Sequence, residues 1–119
     1  DKMKSVYETV LTAQLTALDA VKAGMSGKAL DKIARDIITE AGYGDNFGHS
    51  LGHGVGVEIH ESPYASPSRE DILPENSIVT VEPGIYLEGK FGVRIEDFVV
   101  VTENGCINMT KAPKELICL

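Results

Sequence analysis

Three histidines, His49, His53 and His60, fall within twelve positions, and four glycines, Gly48, Gly52, Gly54 and Gly56, stand among them. An imidazole can ligate a metal, move a proton, or donate a hydrogen bond to developing charge. Glycines let the backbone pass close to a bound group. Two glutamates interrupt apolar runs downstream: Glu82 ends Ile78-Val79-Thr80-Val81, and Glu96 follows Val93-Arg94-Ile95. A carboxylate in an apolar strand is costly unless it is paired or bound to metal. One imidazole and two carboxylates make a nitrogen and oxygen donor set suited to Mn, Fe, Co or Zn, and the residue types do not choose among them. A purely structural reading competes at each position. It takes the histidines as satisfied core residues and Glu82 as a hydrogen-bonded strand end. It pairs Glu96 with Arg94, which period two puts on the same face.

Other chemistries fail on detail. Gly52-x-Gly54 is followed by Val57 where a dinucleotide fingerprint needs glycine, and the stretch leads into a strand pattern, not a helix. No Gly-Lys-Ser/Thr occurs. His60-Glu61 is followed by Ser62-Pro63, which cannot continue as the helix of a zinc-protease motif.

The elements that must position these groups follow from hydrophobic period. Met3, Val6, Tyr7, Val10, Leu11, Leu18 and Val21 recur at helical spacing and predict a helix over 2–23, ended by Gly24. A second helix follows Ser26 as cap. Leu30, Ile33, Ala34, Ile37, Ile38 and Ala41 form its apolar stripe, and Gly42 and Gly44 stop it. From Val55 to His60 apolar residues alternate, a strand pattern. Pro63, Pro67 and Pro74 mark a long connection. Ile78 to Glu82 and Gly92 to Val101 are further strands, and Asn104-Gly105 is a hairpin turn leading to a short strand over 106–109. Two helices followed by antiparallel strands make an α+β domain.

The 119 residues form one domain on length. A formal net charge of −7 argues against a nucleic-acid surface or a polybasic membrane anchor. No apolar run reaches the roughly 18 residues of a membrane span. The start, Asp1-Lys2-Met3-Lys4, has no signal-peptide core and no initiator Met, so the chain reads as a fragment. Two widely separated cysteines, Cys106 and Cys118, suggest a reducing compartment and a cytoplasmic location. Asn108-Met109-Thr110 matches a glycosylation sequon that nothing else in the sequence supports.

Three ordered motifs carry a resemblance. They are His49-Ser50-Leu51-Gly52-His53-Gly54-Val55-Gly56-Val57-Glu58-Ile59-His60-Glu61, Thr80-Val81-Glu82-Pro83-Gly84-Ile85-Tyr86 and Gly92-Val93-Arg94-Ile95-Glu96-Asp97. The chain resembles the pita-bread metallopeptidases, in the branch of Xaa-Pro dipeptidases and aminopeptidase P. Methionine aminopeptidases share the His53 and Glu82 motifs, but Glu-Pro-Gly-Ile-Tyr and the arginine two residues before the last glutamate favour the proline-directed branch.

The resemblance implies that residues 1–119 are the C-terminal half of a catalytic domain with a two-metal site. In it His53, Glu82 and Glu96 are metal ligands, Glu96 bridging both ions. His49 and His60 contact substrate or stabilise the transition state, Glu82 handles the proton, and Arg94 supports the site. Manganese is expected first, with cobalt, zinc or iron as alternatives. Two aspartate ligands and a third substrate histidine belong to a segment upstream of the first helix. The implied substrates are Xaa-Pro dipeptides or peptides, and the implied partner is the N-terminal half of the parent enzyme. The fragment alone is expected to be inactive and to bind metal weakly. A twofold homodimer, in which a second copy replaces the missing half, is also expected. The rival reading is a non-catalytic binding or structural fragment of the same fold.

Overall fold

The computed structural model describes residues 2–56 and 61–116. Helix α1 spans Lys2–Ala20 and buries Val6, Val10, Ala13, Gln14 and Ala17, one stripe at helical spacing. It ends before the predicted residue 23 because the chain turns away to pair elsewhere: the Ala23 amide donates to Thr102 O at 2.9 Å, and that of Gly24, at φ +90°, to Leu73 O at 2.9 Å. Helix α2 spans Gly27–Glu40. Ser26 caps it as expected, accepting from the Ala29 amide at 3.0 Å. Its buried stripe is Leu30, Asp31, Ala34 and Ile38. Ala41 is exposed, and a carboxylate, Asp31, stands inside the stripe. Gly27 is there for closeness: a Cβ would sit 1.9 Å from Tyr64 O, so α2 starts in backbone contact with a strand.

The strands are β1 (Gly52–Gly54), β2 (Glu61–Ala65), β3 (Ile78–Val81), β4 (Gly84–Leu87), β5 (Phe91–Arg94), β6 (Asp97–Val101) and β7 (Cys106–Asn108). Five form an antiparallel sheet in the order β2-β1-β3-β6-β7, and β4 and β5 form a separate two-stranded ribbon. The two helices pack on one face of the sheet over Val79, Val81, Leu51, Leu73, Val99 and Val101. Phe98, Ile107 and Met109 stay exposed.

Three expectations are corrected. The strand expected over 55–60 does not include Val55 and Gly56, which follow β1 at Gly52–Gly54, with Val55 donating to Ile78 O at 2.9 Å; the rest of that stretch, residues 57–60 and His60 with them, lies outside the described residues. The connection marked by prolines contains β2, an edge strand, where Pro63 has no inner ladder bond to break. The expected strand Gly92–Val101 is two strands in two sheets, broken at Ile95-Glu96, and the stretch after Pro83 is a further strand, β4. The hairpin at Asn104-Gly105 is present, the Thr102 amide donating to Gly105 O at 2.9 Å.

Cys106 is a free thiol held above its ordinary pKa by burial first, then by the charges of Asp19 and Asp97. Cys118 lies outside the described residues. Asn108, the sequon residue, donates through Nδ2 to buried Asp97 Oδ2 at 2.7 Å. No helix among the described residues is long and apolar enough to cross a membrane.

Gly52 has a structural job. A Cβ there would lie 1.8 Å from Thr80 O, so β1 approaches β3 closer than any other residue allows. Gly48 has nothing within 4 Å of its missing Cβ. Gly52→Ala is expected to destabilise the chain by about 2 kcal/mol or more, and Gly48→Ala by about 0.5 kcal/mol or less. Urea denaturation of the two variants beside the parent chain checks the contrast.

Candidate metal centre

The site is built on one antiparallel ribbon. β3 pairs with β6 in the register Ile78↔Val100 to Val81↔Asp97, and β4 pairs with β5 in the register Gly84↔Arg94 to Leu87↔Phe91. The two registers are continuous. The ladder opens only between them, where Pro83 offers no N–H and its carbonyl accepts from the Ile95 amide at 3.3 Å. Glu82 and Glu96 therefore fall opposite each other in the opening. His53 arrives from β1, whose Gly54 pairs with Val79. Its backbone amide is anchored to Thr80 Oγ1 at 3.0 Å. Its ring is oriented by Nδ1, which donates to Gly54 O at 2.9 Å and so turns Nε2 toward Glu82.

The ligand atoms of His53, Glu82 and Glu96 lie within 4.8 Å of one another. Glu82 is nearly buried, and His53 Nε2 stands 3.2 Å from its Oε2. That approach lacks hydrogen-bond geometry, and Oε2 is a buried acceptor that receives no hydrogen bond. Oε1 has the Arg94 guanidinium 3.9 Å away. The carboxyl of Glu96 is pushed above its ordinary range by partial burial first, then by the hydrogen bond to Glu82 and the negative charge of Glu82; Arg94 and His53 oppose the shift. Like charges opposite each other on a ribbon repel, and two facing carboxylates need a shared proton or a cation between them. A divalent cation would satisfy the unpartnered oxygen and remove the repulsion, so the three groups fit one.

His49 stands beside this cluster. Its Nδ1 donates to Ser50 O at 2.8 Å, and Nε2 lies within hydrogen-bond distance of the Tyr86 hydroxyl, at 2.9 Å. His49, His53, Tyr64, Glu82 and Arg94 line a cleft of about 330 Å³. Arg94, half-exposed at 52 %, enters it from β5. A larger hollow of about 490 Å³ lies between α1 and Lys114 to Leu116, but no imidazole lines it.

Sequence reasoning missed Tyr86, Tyr64 and the pair Asp31 and Arg35. Tyr86 is signalled by its partner, since Gly92 is opposite it and a Cβ there would lie 2.7 Å from the ring. Asp31 is signalled by an acid inside an apolar stripe with an arginine four residues on.

The fold recurs in known proteins. The sequence model of the metallopeptidase family M24 matches residues 1–103. The chain is 55% identical over 117 residues to an Xaa-Pro dipeptidase of Pyrococcus furiosus, covering 98% of this chain and 34% of that protein. An Xaa-Pro dipeptidase structure from Bacillus anthracis superposes with a TM-score of 0.97 at 52% identity, over 100% of this chain and 34% of that one. An X-Pro aminopeptidase structure from Thermotoga maritima gives 0.93 at 56% identity, over 97% and 33%. The chain thus spans about a third of the length of these relatives. With matches of this extent and identity, the chain belongs to the metallopeptidase family M24, as a C-terminal part of its pita-bread fold.

Proposed function

We propose that this chain supplies the C-terminal half of an Xaa-Pro metallopeptidase catalytic domain, with His53, Glu82 and Glu96 as ligands of a two-metal site. One observation carries the reading: three ligand atoms within 4.8 Å, in a cluster whose Glu82 also has a buried carboxylate oxygen that no hydrogen bond satisfies. The remaining ligands, two aspartates by resemblance, come from outside these 119 residues. Divalent ions, manganese first and cobalt, zinc or iron as alternatives, supply Lewis-acid polarisation and a water acidified toward neutral pH.

The chain's own residues do the rest. Glu82, shielded from water, accepts a proton from the attacking water and passes it to the leaving nitrogen. That nitrogen belongs to proline, so the bond cut has no N–H to be recognised. His49 and His60 contact the substrate or stabilise the charge that develops on its carbonyl oxygen. Arg94 supports the site, its guanidinium 3.9 Å from Glu82 Oε1. The substrates are Xaa-Pro dipeptides or short peptides whose bond before proline is cleaved. The exposed row Phe98, Ile107 and Met109 supports a partner on the open sheet face. In the longer protein it is the preceding half of the domain, and in this chain alone it is a second copy.

Three outcomes are expected. In the protein that carries this chain with its upstream half, Glu96→Ala loses bound metal and Xaa-Pro cleavage together, whereas His49→Ala and His60→Ala keep the metal and lower kcat by about 10²–10³. Metal content measured beside dipeptide kinetics decides; a Glu96→Ala protein with full metal and full rate removes Glu96 from the ligand set. The chain alone shows no appreciable peptidase activity and binds Mn²⁺ and Zn²⁺ weakly in calorimetric titration. Tight uptake of two ions per chain contradicts this. Sedimentation equilibrium of the chain at micromolar concentration gives a dimer, and a mass near 12.8 kDa throughout rules it out.

A further inference from the structure

Helix α2 reaches the cleft from behind. The Asp31 carboxylate is fully buried. Arg35, one turn on, meets it with two nitrogens, Nε donating to Oδ1 at 2.7 Å and Nη2 to Oδ2 at 3.1 Å. The same guanidinium donates outward to the loop before β1, through Nη1 to Phe47 O at 2.9 Å and through Nη2 to His49 O at 2.8 Å. Asp31 Oδ2 also accepts from the Leu51 amide at 3.0 Å. The guanidinium lies 4.1 Å from the centre of the Phe47 ring, and that ring meets the His49 imidazole edge-on at 5.1 Å. One ion pair therefore fixes three alternate residues, 47, 49 and 51. Leu51 carries the tie onward, since its carbonyl accepts from the Glu82 amide at 2.7 Å.

We propose that Asp31 and Arg35 are positioning residues for the cleft: they set the direction of the His49 imidazole and its placement relative to Glu82. What that placement serves rests on the metallopeptidase reading above; the placement itself is testable without turnover. An ion pair that merely closed α2 on the sheet could use lysine. Donation to one carboxylate and two separate carbonyls needs the planar fork of arginine.

Arg35→Lys keeps the charge and lacks the fork. In the 119-residue chain, NMR is expected to show the Leu51 amide exchanging about ten- to hundredfold faster in this variant. The His49 ring nitrogen signals shift with it, while the His53 ring and the β3 and β6 amides stay in place. Phe47→Leu removes the ring between the guanidinium and His49 and leaves every hydrogen bond of the pair. It should shift the His49 ring and leave Leu51 protected, and it decides the matter if Arg35→Lys does not fold. A His49 ring unchanged in the folded variants overturns the proposal.

In the longer protein, Arg35→Lys should lower kcat on an Xaa-Pro dipeptide about ten- to hundredfold with KM and metal content kept. Metal lost in proportion to rate would overturn it in favour of support for the ligands alone. If the longer protein cleaves no Xaa-Pro bond, the metallopeptidase reading falls, while the ring and amide measurements still decide the positioning.

Discussion

Asp31 is a carboxylate with no access to water, and the architecture around the cleft is arranged to satisfy it. Removing such a charge from water costs several kcal/mol unless partners with good geometry replace the solvent. Arg35 and the Leu51 amide are those partners. Because Arg35 spends its remaining donors on the loop carbonyls, the need of one buried acid becomes the shape of the segment that carries His49 and leads to His53. The helix that bears the acid is itself fixed at its start, by the Ser26 cap and by the backbone contact at Gly27. A loop that would otherwise owe its course to local turn preferences is referenced to a helix.

Among the described residues three acids are buried near the sheet, and they are treated differently. Asp31 has Arg35. Asp97 has the Lys114 ammonium and the Asn108 amide. Glu82 has an arginine at 3.9 Å, an imidazole out of hydrogen-bond alignment, and another carboxylate facing it. The sheet thus neutralises its inner acids and leaves negative charge concentrated on the cleft side. Asp97 and Glu96 are neighbours in sequence yet belong to opposite faces, one compensated and one not. That contrast separates acids that hold the fold from acids held ready for a cation, and it rests on geometry instead of composition.

Much of this was legible in the residues. Helical period, the Ser26 cap and the Asn104-Gly105 turn gave both helices and the last hairpin, because each is a local signal. His53, Glu82 and Glu96 stood out because ionisable groups in apolar or glycine-rich runs need a reason. What was not legible depends on partners distant in the chain. Pro63 argues locally against a strand, yet β2 exists because the edge of the sheet tolerates it. The run Gly92 to Val101 keeps one alternation of exposure throughout, so nothing in its pattern shows that it changes sheets at Glu96. Gly52 was read as room for a ligand; it is room for Thr80. Asp31 was passed over because an apolar stripe with one acid still reads as a stripe.

The ribbon that sets Glu82 opposite Glu96 also limits how this protein can change in length. Its hairpin loop, Glu88 to Lys90, lies beyond the last pair, Leu87 and Phe91, and can be extended without disturbing the pairs behind it. The stretches 83–87 and 91–95 have no such freedom. Side chains alternate faces at every residue, so one residue gained or lost in either arm would turn one carboxylate out of the cleft and leave the other alone. Insertions and deletions in these arms are therefore filtered by parity as well as by stability. Homologous sequences that hold a cation in this way should vary in the loop and keep the spacing from each glutamate to the loop fixed.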